Sequence, residues 1–271
     1  MLGPRTRPTL RLATYNVEWF NALFDEADRL LDDGENSARY GITRSQQLAA
    51  LRLVFRALDA DGILVIEAPD TRSHRSTTRA LERFAASAGL RARRAMIGYP
   101  SETEQEIAFL SDPDRLTVHH DPQGAPAPRQ GGHDAPRFDT AFRYDLDADG
   151  ISEVIRFSKP PLELAVTWAG RSLRLIGVHA KSKAPHGEVT EQEFTRISIE
   201  NRRKQLAECL WLRARAETHL AGGENLVVAV EPAVDPVGGN LGPRGPEQGV
   251  QHQQEIEIKL RQVQSVGISV A

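Results

Sequence analysis

Two kinds of apolar spacing alternate along the chain. Leu10-Arg-Leu-Ala-Thr-Tyr-Asn16, Asp61-Gly-Ile-Leu-Val-Ile-Glu67 and Leu173-Arg-Leu-Ile-Gly-Val-His179 are short apolar runs bounded by turn residues. Each predicts a buried strand. Residues 91–98, 105–110, 115–119, 152–157, 162–168 and 225–230 predict further strands. The other spacing is helical. Residues 44–58 place Leu48, Leu51, Phe55 and Leu58 on one face, and residues 77–88 do the same with Leu81, Phe84, Ala85 and Ala88. A long helix over roughly 191–220 carries Phe194, Ile197, Leu206, Cys209 and Leu210. The polar segment 25–43 reads as a surface loop or short helix, and the Pro/Gly-rich segment 121–137 as a mobile loop. Clusters of strands interrupted by single helices predict two packed sheets with helices outside.

Several strands end on a polar residue. Asn16, Glu67 and His179 close three of the apolar runs, and Lys181 shares a face with His179 by the two-residue period. Polar groups at the mouths of buried strands cost desolvation energy, and chemistry is the usual reason for them. An amide, a carboxylate, an imidazole and an ammonium together suit a metal ion holding a phosphate. The bland alternatives are a turn asparagine, a solvated carboxylate and a satisfied core histidine.

Composition narrows the classes. The chain has 271 residues, 40% of them hydrophobic, enough for one large α/β domain or two small ones. Its formal charge of −3 offers no global basic field for a polyanion. The single Cys209 has no partner for an internal disulfide, and burial is its expected role. Met1-Leu-Gly-Pro-Arg-Thr-Arg-Pro8 contains no apolar signal core, and no stretch reaches transmembrane length. The expectation is a cytoplasmic monomer without a membrane partner, with residues 1–8 disordered.

Tyr144-Asp-Leu-Asp-Ala-Asp-Gly-Ile-Ser-Glu153 is a separate signal. Asp145, Asp147, Asp149 and Glu153 around Gly150 match the start of a loop for structural Ca²⁺, although Arg156 stands where the twelfth-position acid belongs. A solvated acidic hairpin turn fits the same residues. On the long helix, Arg196, Arg202, Arg203, Lys204, Arg213 and Arg215 alternate with Glu200, Glu208 and Glu217, which reads as a solvated face.

Ala13-Thr-Tyr-Asn16-Val-Glu-Trp-Phe20, Asp61-Gly-Ile-Leu-Val-Ile-Glu67, Phe157-Ser-Lys-Pro-Pro-Leu-Glu163 and Gly177-Val-His-Ala-Lys-Ser-Lys183 together resemble the endonuclease/exonuclease/phosphatase superfamily, the phosphoesterases related to DNase I. The resemblance covers roughly residues 9–230, and the expected domain of this type is 9–231. It implies a four-layer α+β sandwich of two mixed β-sheets flanked by helices. It also implies Mg²⁺ or Mn²⁺ at Glu67 with Asn16 assisting, and phosphate contacts from Asn16, Lys181 and Lys159. His179 would stabilise the transition state. The implied substrate is a phosphate ester, either nucleic acid or a small phosphodiester.

The resemblance fails late in the chain. Relatives follow the last paired strand with Gly-Asp-x-Asn and end on a Ser-Asp-His motif. Here Val230, Glu231 and Ala233 stand at the first three key positions, and Ser-Asp-His does not occur after residue 231. Glu231 is the remaining candidate for the water-orienting acid. Residues 232–250 hold four Pro and five Gly, and residues 251–271 are Gln-rich. The expectation is therefore a phosphoesterase by ancestry with impaired catalysis and without its final strand or strands, residues 232–271 forming an atypical tail. A non-catalytic metal- and phosphate-binding protein of the same fold, or a truncated or frame-altered version of an active relative, are the alternatives.

Overall fold

The computed structural model describes residues 9–39, 41–101, 103, 105–126, 135–145, 149–180, 190–232 and 263–268, the last six and residues 231–232 by backbone alone. The elements run β1 (Leu10–Asn16), α1 (Arg44–Leu58), β2 (Gly62–Ala68), α2 (Thr77–Ala88), β3 (Arg94–Ile97), β4 (Glu106–Ser111), β5 (Leu116–His120), β6 (Phe142–Tyr144), β7 (Glu153–Ile155), β8 (Leu162–Trp168), β9 (Arg171–Ala180), α3 (Glu191–Ala221), β10 (Leu226–Pro232) and β11 (Val263–Ile268). None of the described helices is long and apolar enough to cross a membrane.

Two mixed sheets face each other. One has the order β11-β1-β2-β4-β3 and the other β10-β9-β8-β5, with β6 and β7 forming a separate hairpin. β1 and β2 are parallel, as are β9 and β10; the remaining pairs are antiparallel. Strand alternation sorts the apolar side chains into three cores. Ala13, Ile63, Val65, Ala108 and Leu110 pack under Leu48, Phe55, Leu81 and Phe84 of α1 and α2. Leu10, Leu12, Leu64, Ile66, Ile107 and Phe109 meet Leu162, Leu164, Val166 and Leu175 between the sheets. Ile176 and Val178 pack on Trp211 and Leu212 of α3. The layers are thus helices, sheet, sheet, helix. At the middle of the inter-sheet core Gly177 lets Leu64 approach closely: a Cβ there would lie 2.4 Å from Leu64 Cδ1.

The helices start where their caps stand. Thr43 accepts from the Gln46 amide and Gln46 Oε1 accepts from the Thr43 amide; Thr190 and Glu193 make the same reciprocal pair. Ser76 caps α2, and Gly89 ends it at φ +64°.

Four expectations change. β11 pairs antiparallel with β1 from Leu10↔Ile268 to Tyr15↔Val263, so the sheet edge that the sequence left without a final strand is occupied by one drawn from the tail. Cys209 is exposed rather than buried. The buried stripe of α3 runs through Ala207, Glu208, Trp211, Leu212, Arg215 and His219, and Cys209 lies about 200° around the helix from Trp211. Phe194 and Leu206 are also off that stripe and exposed. The segment read as a loop over 121–137 is buried at its end: Pro136 accepts the Trp211 indole N–H at 2.7 Å, and Phe138 packs against the same ring.

The charges of α3 divide in two. Arg196–Glu200 and Arg213–Glu217 are exposed pairs one turn apart, as a solvated face requires. Arg215 is instead buried. Its Nη2 donates to the carbonyls of Gln123 and Ala135 at 2.6 and 2.7 Å, and its Nε lies 3.7 Å from the fully buried Glu163 carboxylate. His219 Nε2 meets that carboxylate at 2.6 Å. A buried charge is tolerated when it is paired and hydrogen-bonded, and these groups meet that condition.

Candidate functional site

The polar strand ends converge at one end of the sandwich, between the sheets. Asn16 follows Leu10, Leu12 and Thr14 on the inner face of β1. His179 follows Leu175 and Gly177 on the inner face of β9. Both lie where the inner-face alternation leaves the apolar core, and both are buried.

Glu67 reaches this place by a different route. Simple alternation would put it on the outer face of β2, under the helices. A β-bulge interrupts the β2–β4 register between Ile66 and Ala68, and Glu67 adopts φ +60°. Bulges re-aim side chains, and this one turns the carboxylate toward Asn16, Gln105 and His179. Holding a non-glycine residue in left-handed backbone costs about 1–3 kcal/mol, a cost found mainly where function requires the geometry.

Around Glu67 the contacts form a chain. Asn16 hydrogen-bonds to the carboxylate. Gln105 Nε2 donates to Glu67 Oε2 at 2.8 Å, and Gln105 Oε1 accepts from Lys159 Nζ at 2.6 Å. Lys159 Nζ also lies 3.1 Å from His179 Nδ1. An ammonium only donates, so Nδ1 is the acceptor and the neutral ring carries its proton on Nε2. That Nε2 sits 3.9 Å from Glu67 Oε1, too far for a hydrogen bond. Burial, followed by the Lys159 charge, pushes the His179 pKa down from 6.5 to about 3. His179 is therefore a neutral donor near pH 7, not an acid. Burial raises the Glu67 pKa, opposed by Lys159 and the Asn16 hydrogen bond.

These residues fit a small hard cation. Asn16 Oδ1 is buried without a hydrogen-bond partner, beside the Glu67 carboxylate. One carboxylate and one amide oxygen match the sparse oxygen set that Mg²⁺ accepts while keeping its waters. Among the described residues no three His, Cys, Asp or Glu side chains gather into a closed cage.

The other expected residues divide as follows. Lys159, which the resemblance implied as a phosphate contact, lies beside Glu67 through its contacts with Gln105 and His179. Glu231 is in register with His179 across the parallel β9–β10 ladder, which places its backbone at the same end of the sandwich. Lys181 and Asp147 lie outside the described residues. In the acidic loop, Asp145 accepts the amides of Asp149 and Gly150 at 3.2 and 2.9 Å, and Asp149 accepts that of Ile151 at 2.7 Å. Glu153 starts β7. The Asp145 and Asp149 carboxylates are thus engaged by backbone amides between β6 and β7. Gln105 was not foreseen. Its one signal is that it precedes Ile107 and Phe109 by the strand period, which puts it at the mouth of the inner face.

A cleft of about 480 Å³ opens beside this chain of contacts, lined by Trp19, Phe20, Asn36, Arg44, Arg75, Gln105 and Glu67 among others.

Two mixed sheets packed between helices, with Asn16, Glu67, Lys159 and His179 at one end, agree with the endonuclease/exonuclease/phosphatase resemblance carried by the sequence. The chain is similar to the solved endonuclease/exonuclease/phosphatase from Bacteroides vulgatus, at 13% identity over 85% of this chain and 68% of that one, with a TM-score of 0.41. It is similar to TDP2 from C. elegans, at 12% identity over 81% of this chain and 46% of that one, TM-score 0.41. It is also similar to a D. rerio TDP2 humanized by 14 mutations, at 12% identity over 83% of this chain and 61% of that one, TM-score 0.39. The chain thus spans between 46% and 61% of the length of those two TDP2 chains. Likeness at this level leaves their activities with those proteins. No protein-family model matches the chain, and no curated protein matches it.

Proposed function

We propose that the chain is a phosphoesterase of the nuclease or phosphodiesterase type, dependent on Mg²⁺ or Mn²⁺, with slow turnover. The observation that carries this reading is the bulge-directed Glu67 carboxylate beside the unpartnered Asn16 Oδ1. Glu67 and Asn16 would hold the ion. When bound, the ion would polarise the phosphate and lower the pKa of a water.

The chain's own residues do the rest. Lys159 brings a fixed positive charge to the phosphate. His179, neutral and oriented by Lys159, offers its Nε2–H to a non-bridging oxygen as charge develops. Gln105 ties the carboxylate to the lysine, so that both stay on the same side of the substrate. Glu231, at the end of the strand next to His179, is the candidate to orient water. Its side chain is one methylene longer than the aspartate of relatives, and small displacements of a reacting group are costly. Loss of a positioned acid–base group costs roughly 10²–10⁴ in rate. That is the reason to expect slow hydrolysis.

Calorimetric titration with Mg²⁺ or Mn²⁺, paired with hydrolysis of bis-p-nitrophenyl phosphate and plasmid DNA, tests the reading. One divalent site is expected, abolished by Glu67→Gln, with turnover well under the ordinary enzyme range of ~1–10³ per second. Ion binding unchanged in Glu67→Gln would end the assignment of Glu67. Ordinary turnover would show that Glu231, or the tail, has rebuilt the missing machinery.

A further inference from the structure

Trp19 is about half exposed (51%), yet the chain on both sides of it is firmly held. Val17, Phe20 and Leu23 are almost wholly buried. The fully packed Gln47 of α1 donates its side-chain amide to the Glu18 carbonyl at 3.0 Å. The Val17 amide is bound to the Ile66 carbonyl at 2.9 Å. Trp19 itself adopts φ +63°, a left-handed conformation that bulky residues avoid. The backbone is strained, and the side chain so displayed is a large apolar ring left about half open to solvent. Strained backbone of this kind clusters at ligand clamps, among other places.

The ring lines the same cleft as Glu67 and Gln105. At about 480 Å³, the cleft is within the usual range for a small-molecule site. Exposed Asn36 and partly exposed Arg44 add polar groups to its wall. Trp19 and Glu67 therefore line one cavity, together with Ala38, whose φ is also positive; Trp19 presents an aromatic surface and Glu67 a carboxylate suited to a phosphate-bound ion.

We propose that this cleft is a nucleobase subsite: Trp19 stacks on an unpaired base of the nucleotide adjoining the phosphate held at Glu67. This rests on the phosphoesterase reading for the phosphate and on the Trp19 geometry for the base. A rigid indole suits a base because every base has a flat π-face. It selects an unpaired base, since a base inside a duplex already has stacking neighbours on both faces. The substrate class is then single-stranded nucleic acid or a nucleotide diester, in preference to duplex or to diesters of sugars and lipids. Asn36, with both a donor and an acceptor in its amide, is positioned to meet a base edge.

Binding separates this inference from catalysis. Trp168 and Trp211 are buried, so Trp19 is the indole open to a ligand, and its emission reports stacking. A single-stranded oligothymidylate, the same backbone with abasic units, and a duplex are titrated both with Mg²⁺, so that the ion can sit at Glu67, and in chelator; absence of binding counts against the subsite only in the Mg²⁺ series. Affinity is followed in parallel by anisotropy of labelled strands. The base-bearing single strand is expected to quench the emission and to bind roughly five- to a hundred-fold tighter than the abasic one. Trp19→Leu should remove that difference, and Trp19→Phe should keep most of it. The ring is exposed, so neither variant threatens the fold. Equal binding of the abasic and base-bearing strands, a preference for duplex, or a base preference intact in Trp19→Leu would overturn the subsite. Absence of oligonucleotide binding alongside Glu67-dependent hydrolysis of bis-p-nitrophenyl phosphate would overturn it while leaving the phosphoesterase reading in place. Base-dependent binding that needs Trp19, with no hydrolysis under any metal, would uphold the subsite and remove the catalytic reading.

Discussion

Replacing Gly177 with alanine adds a single methyl group, and the structure shows where it goes. The new Cβ would lie 2.4 Å from Leu64 Cδ1, 3.0 Å from Cδ2 and 3.3 Å from Cγ. Leu64 is 1% exposed and belongs to the inter-sheet core, so any shift it makes is against packed neighbours. The strain must be taken up by shifting Leu64 or by separating the sheets, and overpacking of this kind costs about 1–3 kcal/mol. In a domain of this size each kcal/mol lowers the midpoint of thermal unfolding by about 2–4 °C. Leu64→Ala alone should cost about 2–5 kcal/mol through the cavity it opens. It also removes the three atoms nearest to the new methyl. The double variant should therefore be less destabilised than the two single losses combined, with a coupling of about 1–3 kcal/mol. Urea unfolding of the four proteins measures this directly. His179 lies two residues along the same face, so a shift of β9 should also weaken ion or phosphate binding in Gly177→Ala and recover part of it in the double variant. A Gly177→Ala protein as stable as the parent, or strictly additive losses, would show that the sheets are not in contact here.

The other expectations concern buried ionisable groups. His179 has its folded pKa depressed to about 3, so its contribution to stability is complete above 6.5 and is lost as pH falls toward 3, because the unfolded chain takes the proton first. About 2 kcal/mol should be gone by pH 5. The stability of His179→Gln should fall less over that interval, and parallel pH profiles would contradict the neutral buried ring. Glu67 works in the opposite sense, since its raised pKa means stability lost as pH rises through the folded value; Glu67→Gln should therefore gain relative stability toward neutral pH. Glu163→Leu should cost about 3–5 kcal/mol in urea unfolding, because Arg215 and His219 would be left facing an apolar side chain. Glu200→Ala, which breaks only an exposed pair with Arg196, should cost less than about 1 kcal/mol.

Much of the site could be read from strand periods. Asn16 and His179 stand in phase with the inner-face residues that precede them, and the sequence shows that phase directly. Glu67 was identified through family resemblance, although its position breaks the alternation; the bulge that corrects its direction has no glycine to announce it. Lys159 was reached only through the resemblance, because its contact with Gln105 spans 54 residues and no local pattern announces it. Glu163 and His219 are 56 residues apart and were invisible as a pair for the same reason. Amphipathic spacing located α1 and α2 well, since each buries one continuous stripe. It failed on α3, where a buried arginine, glutamate and histidine occupy the inward face and several apolar residues point to solvent. The role of the tail was hidden because backbone pairing, not side-chain pattern, places β11 beside β1.

That pairing sets an order of events during synthesis. β1 leaves the ribosome among the first residues of the domain, whereas the strand covering its outer edge ends at Ile268. At about 5–20 residues per second, the N–H and C=O groups along that edge wait roughly 10–50 s for their ladder. Exposed strand edges are templates for pairing with other chains. The nascent protein therefore has a defined interval in which a chaperone is most useful, and codon changes that slow translation between β10 and β11 would lengthen it without altering one atom of the finished molecule.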